Sequence, residues 1–340
     1  MPSSSPTHKK TATLALVVGV IAIGWSAIFV RWTHMPGIAS AFYRVLFAAL
    51  ALWPFLLTRR ERAQLTRPIV ATTLLGGIFF AGDIGLFNIA VNHTSAADAT
   101  FLGNNAPVFV GLITWAVTRR RPALRFWSAL AIAFAGAALI VAVDHHRLAS
   151  ASAADGLAVI ASFCFALFLI VTERVRGACD SAILVALSAS ASAATLLVVA
   201  LIGHVSLAIP GWPEFAALLG LALVCQIAGY FSLTWALGHL PATTTSVTML
   251  GVAPLTAVFA LLIFQERQSP LQILGDTLIL AGIWLANRTP PANPPRRWNK
   301  AAHPQSSFAP QMCVSRAISA AVCQANALLW KFCQALSHAD

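Results

Sequence analysis

Thr11–Val30 reads TATLALVVGVIAIGWSAIFV, twenty residues without a charge, with Lys9 and Lys10 before it and Arg31 after it. A helix needs about 20 apolar residues to cross about 30 Å of hydrocarbon, so this stretch is long enough to span a bilayer. It also exceeds the apolar core of a removable signal peptide, at most about 15 residues, and is expected to stay in the chain. The same pattern recurs along the sequence. Ten spans are predicted, at 11–30, 36–58, 68–92, 93–118, 126–143, 156–172, 181–203, 215–238, 241–265 and 268–287. Only Arg44, Asp83, Asp98 and Asp276 place a charge inside them. Continuous apolarity over such lengths means helices, because lipid-facing backbone must satisfy its hydrogen bonds within the segment and barrel strands are shorter and alternate. The expected fold class is therefore an all-α polytopic membrane protein.

Composition agrees. The 340 residues are 58% hydrophobic and 10% charged, where soluble domains average about 45–50% and about 25%; the mean hydropathy is +0.77. An ordinary soluble enzyme is excluded on those grounds. The formal charge of +11 raises nucleic acid as a partner, but the basic residues lie in separate loops and act as orientation signals. With the N-terminus in the cytoplasm, 18 Lys and Arg fall inside against Arg31, Arg147 and Arg267 outside. That bias predicts an even number of spans with both termini cytoplasmic. Seven of the ten Trp (Trp32, Trp53, Trp115, Trp127, Trp212, Trp235 and Trp284) flank span ends, where amphipathic rings sit at the headgroup level.

Six cysteines show no zinc or redox spacing, so neither a disulfide framework nor a metal site is expected. Residues 288–311 contain six Pro and read as a linker, and Met312–Leu336 as a weak interfacial helix in a cytoplasmic tail. Cys313, Cys323 and Cys333 in that tail recur every ten residues, which on a helix turns each by about 280° and keeps them off one face.

An internal repeat organises the rest. Leu86–His93 lies 146 residues before Ser232–His239, and each closes a span. A short small-residue segment follows each, Thr94–Ala97 or Leu240–Thr243, and then Ala106-Pro107-Val108 or Ala253-Pro254-Leu255, 147 apart. The offset returns to 146 between Gly136 and Gly282. Each half holds five spans, and an odd number makes the second half run through the membrane in the opposite sense, a common plan of transporters. The domains are therefore drawn as an N-terminus (1–10), a first repeat (11–150), a second repeat (151–287) and the tail (288–340).

Ala41-Phe42-Tyr43-Arg44, the run from Asp83 through Thr94-Ser95-Ala96-Ala97 to Ala106-Pro107-Val108, and Glu266-Arg267 together resemble the EamA-type branch of the drug/metabolite transporter superfamily. The resemblance covers about residues 11–287. It implies ten helices in a 5+5 inverted repeat, a permease of the bacterial inner membrane, and small metabolites such as amino acids or their derivatives as substrates, most often exported. Arg119-Arg120-Arg121-Pro122 departs from the pattern, which often has an acidic-basic pair there, so no role is carried to that loop.

Several residues inside the spans are candidates for contact with a solute. A charge at a helix centre costs about 2.5–3.5 kcal/mol on insertion scales, and Arg44 and Asp83 lie at matching depths, about 12–13 Å from the outer ends of their spans. They are expected to share a charge pair or hydrogen-bond network facing a zwitterionic solute, or to lock two helices as a structural ion pair. Asp98, Phe101, Asn105 and Phe109 share one face of span four, a pattern suited to a cavity wall. Asp98 lies near the outer surface and reads equally as solvated. Gln226, Tyr230 and Thr248 are polar positions of the second half, for which interhelical hydrogen bonding is the plain alternative. Trp25 is the Trp deepest in a span, set to stack on an aromatic solute or to pack. Pro107 and Pro254 fall mid-span in equivalent helices and are candidate hinges. Small residues on spans five and ten, Gly136, Gly275 and Gly282 among them, allow those spans to pack together or to form a homodimer contact.

The partners expected are thus a small-molecule substrate and the lipid bilayer, with no nucleic acid and no cofactor. A membrane-embedded transferase would need clustered Asp for magnesium or a His and Asp pair near the headgroups. Asp144, His145 and His146 in an outer loop are the nearest approach, and they read as solvated. A sensor would add a folded signalling domain. A non-enzymatic secondary transporter working by alternating access fits best; its energy coupling stays open, proton exchange requiring a titrating group such as Asp83.

Overall fold

The computed structural model describes residues 6–58, 66–93, 102–119, 121–144, 153–265 and 269–287. Asp98, Phe101, the outer-loop histidines, Glu266-Arg267 and the whole of 288–340 lie outside the described residues. Among those described, every regular element is a helix. Eight segments are long and apolar enough to cross a membrane, and the shorter apolar helices Ala106–Thr118 and Leu124–Asp144 take the places of spans four and five. Their long apolar side chains face outward as well as inward: Leu14, Leu124, Leu201, Trp212 and Leu262 all stand exposed. That is what a lipid-facing surface requires, since the bilayer exerts no hydrophobic pressure to hide them.

Four of the spans are not continuous α-helices. Span one comprises Pro6–Gly24 and Ser26–Thr33, interrupted at Trp25. Span four has its helix Ala106–Thr118 preceded by a turn at Asn104 and Asn105, where the sequence predicts an unbroken helix. Span nine is likewise divided into Ala242–Met249 and Val252–Phe264 by Leu250 and Gly251. In span eight, the nine-residue π-helical stretch Leu221–Gly229 separates Trp212–Gly220 from Tyr230–Leu237. Spans two (Gly37–Thr58), three (Arg67–His93), six (Ala153–Arg176), seven (Ser181–Ile202) and ten (Pro270–Asn287) are uninterrupted.

The neighbour relations carry the repeat. When spans one to five are exchanged with six to ten, the packed pairs map onto packed pairs: three on six becomes eight on one, two on eight becomes seven on three, and four on six becomes nine on one. The pairs two on seven, four on nine and five on ten map onto themselves. The helices Ala106–Thr118 and Val252–Phe264 also end alike, with Arg119 and Gln265 both at φ 57°, 146 residues apart.

Spans five and ten pack against each other within the chain, which answers one alternative the sequence left open. A Cβ on Gly275 would lie 2.6 Å from the Gly136 carbonyl oxygen, and one on Gly282 would lie 2.6 Å from that of Ala129. Only glycine allows backbones to approach so closely. Similarly, Ser192 on span seven donates to the Gly77 carbonyl of span three at 2.6 Å.

Candidate functional site

Span two carries Arg44 seven residues, or about 10 Å, into the helix from Gly37. Its side chain is 6% exposed. Arg44 Nε donates to Gln226 Oε1 at 2.9 Å and Nη1 donates to Ser26 Oγ at 3.1 Å. The guanidinium carbon lies 5.3 Å from the centroid of the Tyr230 ring, within cation–π range. Nη2 is buried and has no hydrogen-bond partner among the described residues. Because a buried charged donor without a partner is costly, that nitrogen marks the place where an acceptor from outside the chain gains most.

The interrupted helices explain why these groups meet. Ser26 is the first residue after the break in span one, and Gln226 belongs to the π-helical stretch of span eight, whose wider turn shifts side chains off the α-helical register. The break in span one frees the Gly24 carbonyl, which accepts from Thr256 Oγ1 of span nine at 2.9 Å. Irregular backbone at membrane depth is sustainable only where protein groups satisfy it.

Asp83, on span three, is half-buried and has no hydrogen-bond partner among the described residues. The guanidinium bonds to Gln226 and Ser26, and no hydrogen bond joins it to Asp83 among the described residues. Equal depth along two helices does not fix their rotation, and a partner 182 residues away took the bond.

The other candidates divide into those near Arg44 and those engaged elsewhere. Tyr230 packs edge-on against Phe80 with centroids 4.7 Å apart and lies 6.1 Å from Phe168. Trp25 stacks on Phe259 at 4.6 Å, so its ring is held by packing. Asn105 sits at the N-terminal end of Ala106–Thr118 and donates through Nδ2 to Leu102 O at 2.8 Å. Phe109 meets Phe163 of span six at 5.4 Å. Thr248 Oγ1 donates to Thr244 O and accepts from Asn287 Nδ2 at 3.0 Å, tying span nine to span ten. Pro107 and Pro254 occupy the first turns of the helices that follow the breaks, not mid-helix positions. There the missing N–H deprives no carbonyl of a bond, so the discontinuity belongs to the turns before them.

Sequence reading missed Ser26, Phe80, Phe168 and Thr256. Ser26 adjoins Trp25 within an apolar run, and nothing in its type separates it from the serines that pack helices. Phe80 and Phe168 are two of 20 Phe. Their roles come from proximity alone.

Comparison with known proteins fits this architecture. The model of the EamA-like transporter family matches residues 10–142 and again 152–288. An uncharacterized transporter of Archaeoglobus fulgidus is 25% identical over 289 residues, covering 83% of this chain and 97% of that protein. The uncharacterized transporter YwfM of Bacillus subtilis is 26% identical over 212 residues, covering 60% and 69% respectively. A solved crystal structure shares the fold at a TM-score of 0.69 and 15% identity, over 82% of this chain and 96% of the other. With both halves matched and every described element a helix, the chain belongs to the EamA-like transporter family.

Proposed function

We propose that the protein is a secondary transporter that moves small zwitterionic metabolites, amino acids or their derivatives, by alternating access, with export as the net direction. The single observation that carries the substrate class is the Arg44 guanidinium, buried with two nitrogens engaged and Nη2 unpartnered among the described residues. A solute carboxylate on Nη2 satisfies that donor as a charge-assisted bond. Asp83, without a hydrogen-bond partner in the same set of residues, supplies a counter-charge for the solute's ammonium group. Aromatic rings of Tyr230, Phe80 and Phe168 give an apolar wall beside them. The inverted pairing of the two five-span halves supports a rocking motion about this region, because a packing that serves one membrane face is repeated for the other. The resemblance to inner-membrane permeases supports the export direction and a location in the bacterial inner membrane, and the Lys and Arg distribution supports cytoplasmic termini.

Proteoliposomes loaded with a panel of radiolabelled amino acids test the reading. Efflux of at least one, accelerated by the same amino acid on the far side, is expected. Wild-type protein that folds and carries none of them overturns the substrate class.

A further inference from the structure

Two departures from the repeat stand on either side of Arg44. Span one is broken at Trp25, while its counterpart, span six, is uninterrupted. Span eight holds the π-helical stretch Leu221–Gly229, while its counterpart, span three, is uninterrupted. These two irregular spans are the ones that supply Ser26 and Gln226 to the guanidinium. The packed pairs of the two halves map onto one another, so the irregular backbone belongs to the Arg44 place and has a local cause.

In span one that cause is Thr256 of span nine. A threonine hydroxyl within a helix commonly donates to a carbonyl one turn back. Thr73, Thr195, Thr248 and Thr277 do so, each to the residue four before it. Thr256 Oγ1 donates instead to Gly24 O of span one at 2.9 Å. That carbonyl is the one the break leaves open, and an open carbonyl at membrane depth is costly unless a protein group satisfies it. Span nine also sits directly against the broken turn. A Cβ on Gly24 would lie 3.2 Å from the Phe259 ring and 3.3 Å from Leu255 Cβ, and the Trp25 ring stacks on Phe259 with centroids 4.6 Å apart. The first half offers an internal comparison. Spans four and six pack as spans nine and one do, but at the repeat offsets of 146 and 147 Thr256 corresponds to Val110 or Phe109. Neither carries a hydroxyl, and span six is unbroken.

We propose that Thr256 is a positioning residue for the Arg44 place. By satisfying Gly24 O it holds span one open at Trp25, and the open turn sets Ser26 Oγ on Arg44 Nη1. With Nε and Nη1 both held, Nη2 keeps one direction. Without the Thr256 hydroxyl, the Gly24 carbonyl regains a partner most cheaply from its own helix. Closing the turn in that way rotates Ser26 off the guanidinium, which loses one of its two anchors. Thr256 acts through Ser26 and does not itself touch the solute. What the guanidinium binds rests on the transport reading above, but the positioning is measurable without it.

Thr256→Val keeps the branched shape and removes the hydroxyl, whereas Thr256→Ser keeps the hydroxyl. In the full-length chain grown with isotope-labelled arginine, the side-chain nitrogen signals of Arg44, identified by their loss in Arg44→Lys, report rotation about the Cζ–Nη bonds. Separate Nη1 and Nη2 signals are expected in the wild type and Thr256→Ser, and averaged ones in Thr256→Val and Ser26→Ala. Averaged signals in the wild type, or separate ones in Thr256→Val or Ser26→Ala, overturn the proposal. In proteoliposomes, Thr256→Val is expected to raise the KM of a carried amino acid about fivefold with kcat unchanged, and Thr256→Ser to restore it. The double variant of Ser26→Ala and Thr256→Val is expected to match Ser26→Ala alone, because the two residues act in series. A KM unmoved by Thr256→Val, or effects that multiply in the double variant, overturn the positioning. Should Thr256→Val fail to fold, Thr256→Ala is held to the same criteria, and the Ser26→Ala signals decide by themselves. A wild type that carries no amino acid sinks the transport reading and leaves the arginine signals to judge Thr256. Flux that is present but indifferent to Thr256→Val sinks the positioning alone.

Discussion

Arg44 concentrates in one side chain what the whole fold has to accommodate, a charge held in an apolar body. Its Nε and Nη1 are fixed by Gln226 and Ser26, which orients Nη2 without occupying it. Lysine carries the charge but not the planar fork, and it cannot hold two protein acceptors and a carboxylate in one plane. Arg44→Lys is therefore expected to lower amino-acid flux at least tenfold while the yield of folded protein stays normal, as measured side by side in proteoliposomes and by size-exclusion chromatography. Gln226→Leu removes the Nε acceptor and leaves a second buried donor unpaired. A stability loss of about 1–3 kcal/mol is expected, read from the unfolding midpoint in detergent. Arg44 itself is legible in the sequence, as a lone cation in an uncharged run. Its acceptor is not, because Gln226 is 182 residues away and differs in nothing local from a glutamine that packs helices.

Helix breaks define the next level of organisation. Hydropathy finds spans four and nine but reads each as continuous, since a turn made of Asn104 and Asn105, or of Leu250 and Gly251, interrupts hydrogen bonding without altering apolarity enough to register. The hinge expectation consequently moves from Pro107 and Pro254 to the turns before them. Because each proline sits in a first helical turn, replacing both by Ala is expected to leave the breaks in place and to change stability by less than about 1 kcal/mol. Hydrogen exchange at residues 251–255 and the unfolding midpoint check this. The contact of spans five and ten behaves differently, having no slack at all. Gly282→Leu pushes a side chain into the Ala129 carbonyl and the Ala133 side chain. It is expected to cost about 1–3 kcal/mol, seen as a lower melting temperature in detergent.

Across the molecule, the two halves interlock so that each span of one packs on the other half as much as on its own. With five spans in each half, the second half runs through the membrane opposite to the first. Reporter fusions at the N-terminus and after Asn287 are expected on one side of the membrane, and insertions after Thr33 and within 203–211 on the other. Termini found on different sides end the inverted repeat.

Sequence alone determined that the chain crosses a membrane many times, how many times, and that it does so as a repeat. These properties follow from the composition of contiguous segments and from fixed offsets, which one dimension preserves. It also marked Arg44, Asp83 and the small-residue faces of spans five and ten, because each departs from its local background. The tertiary structure decided which groups meet: Gln226 and Ser26 on Arg44, the Tyr230 ring beside its guanidinium, and Gly136 on Gly275. Those outcomes depend on the rotation of one helix against another, set by packing among residues far apart in the chain, and no local pattern encodes that rotation.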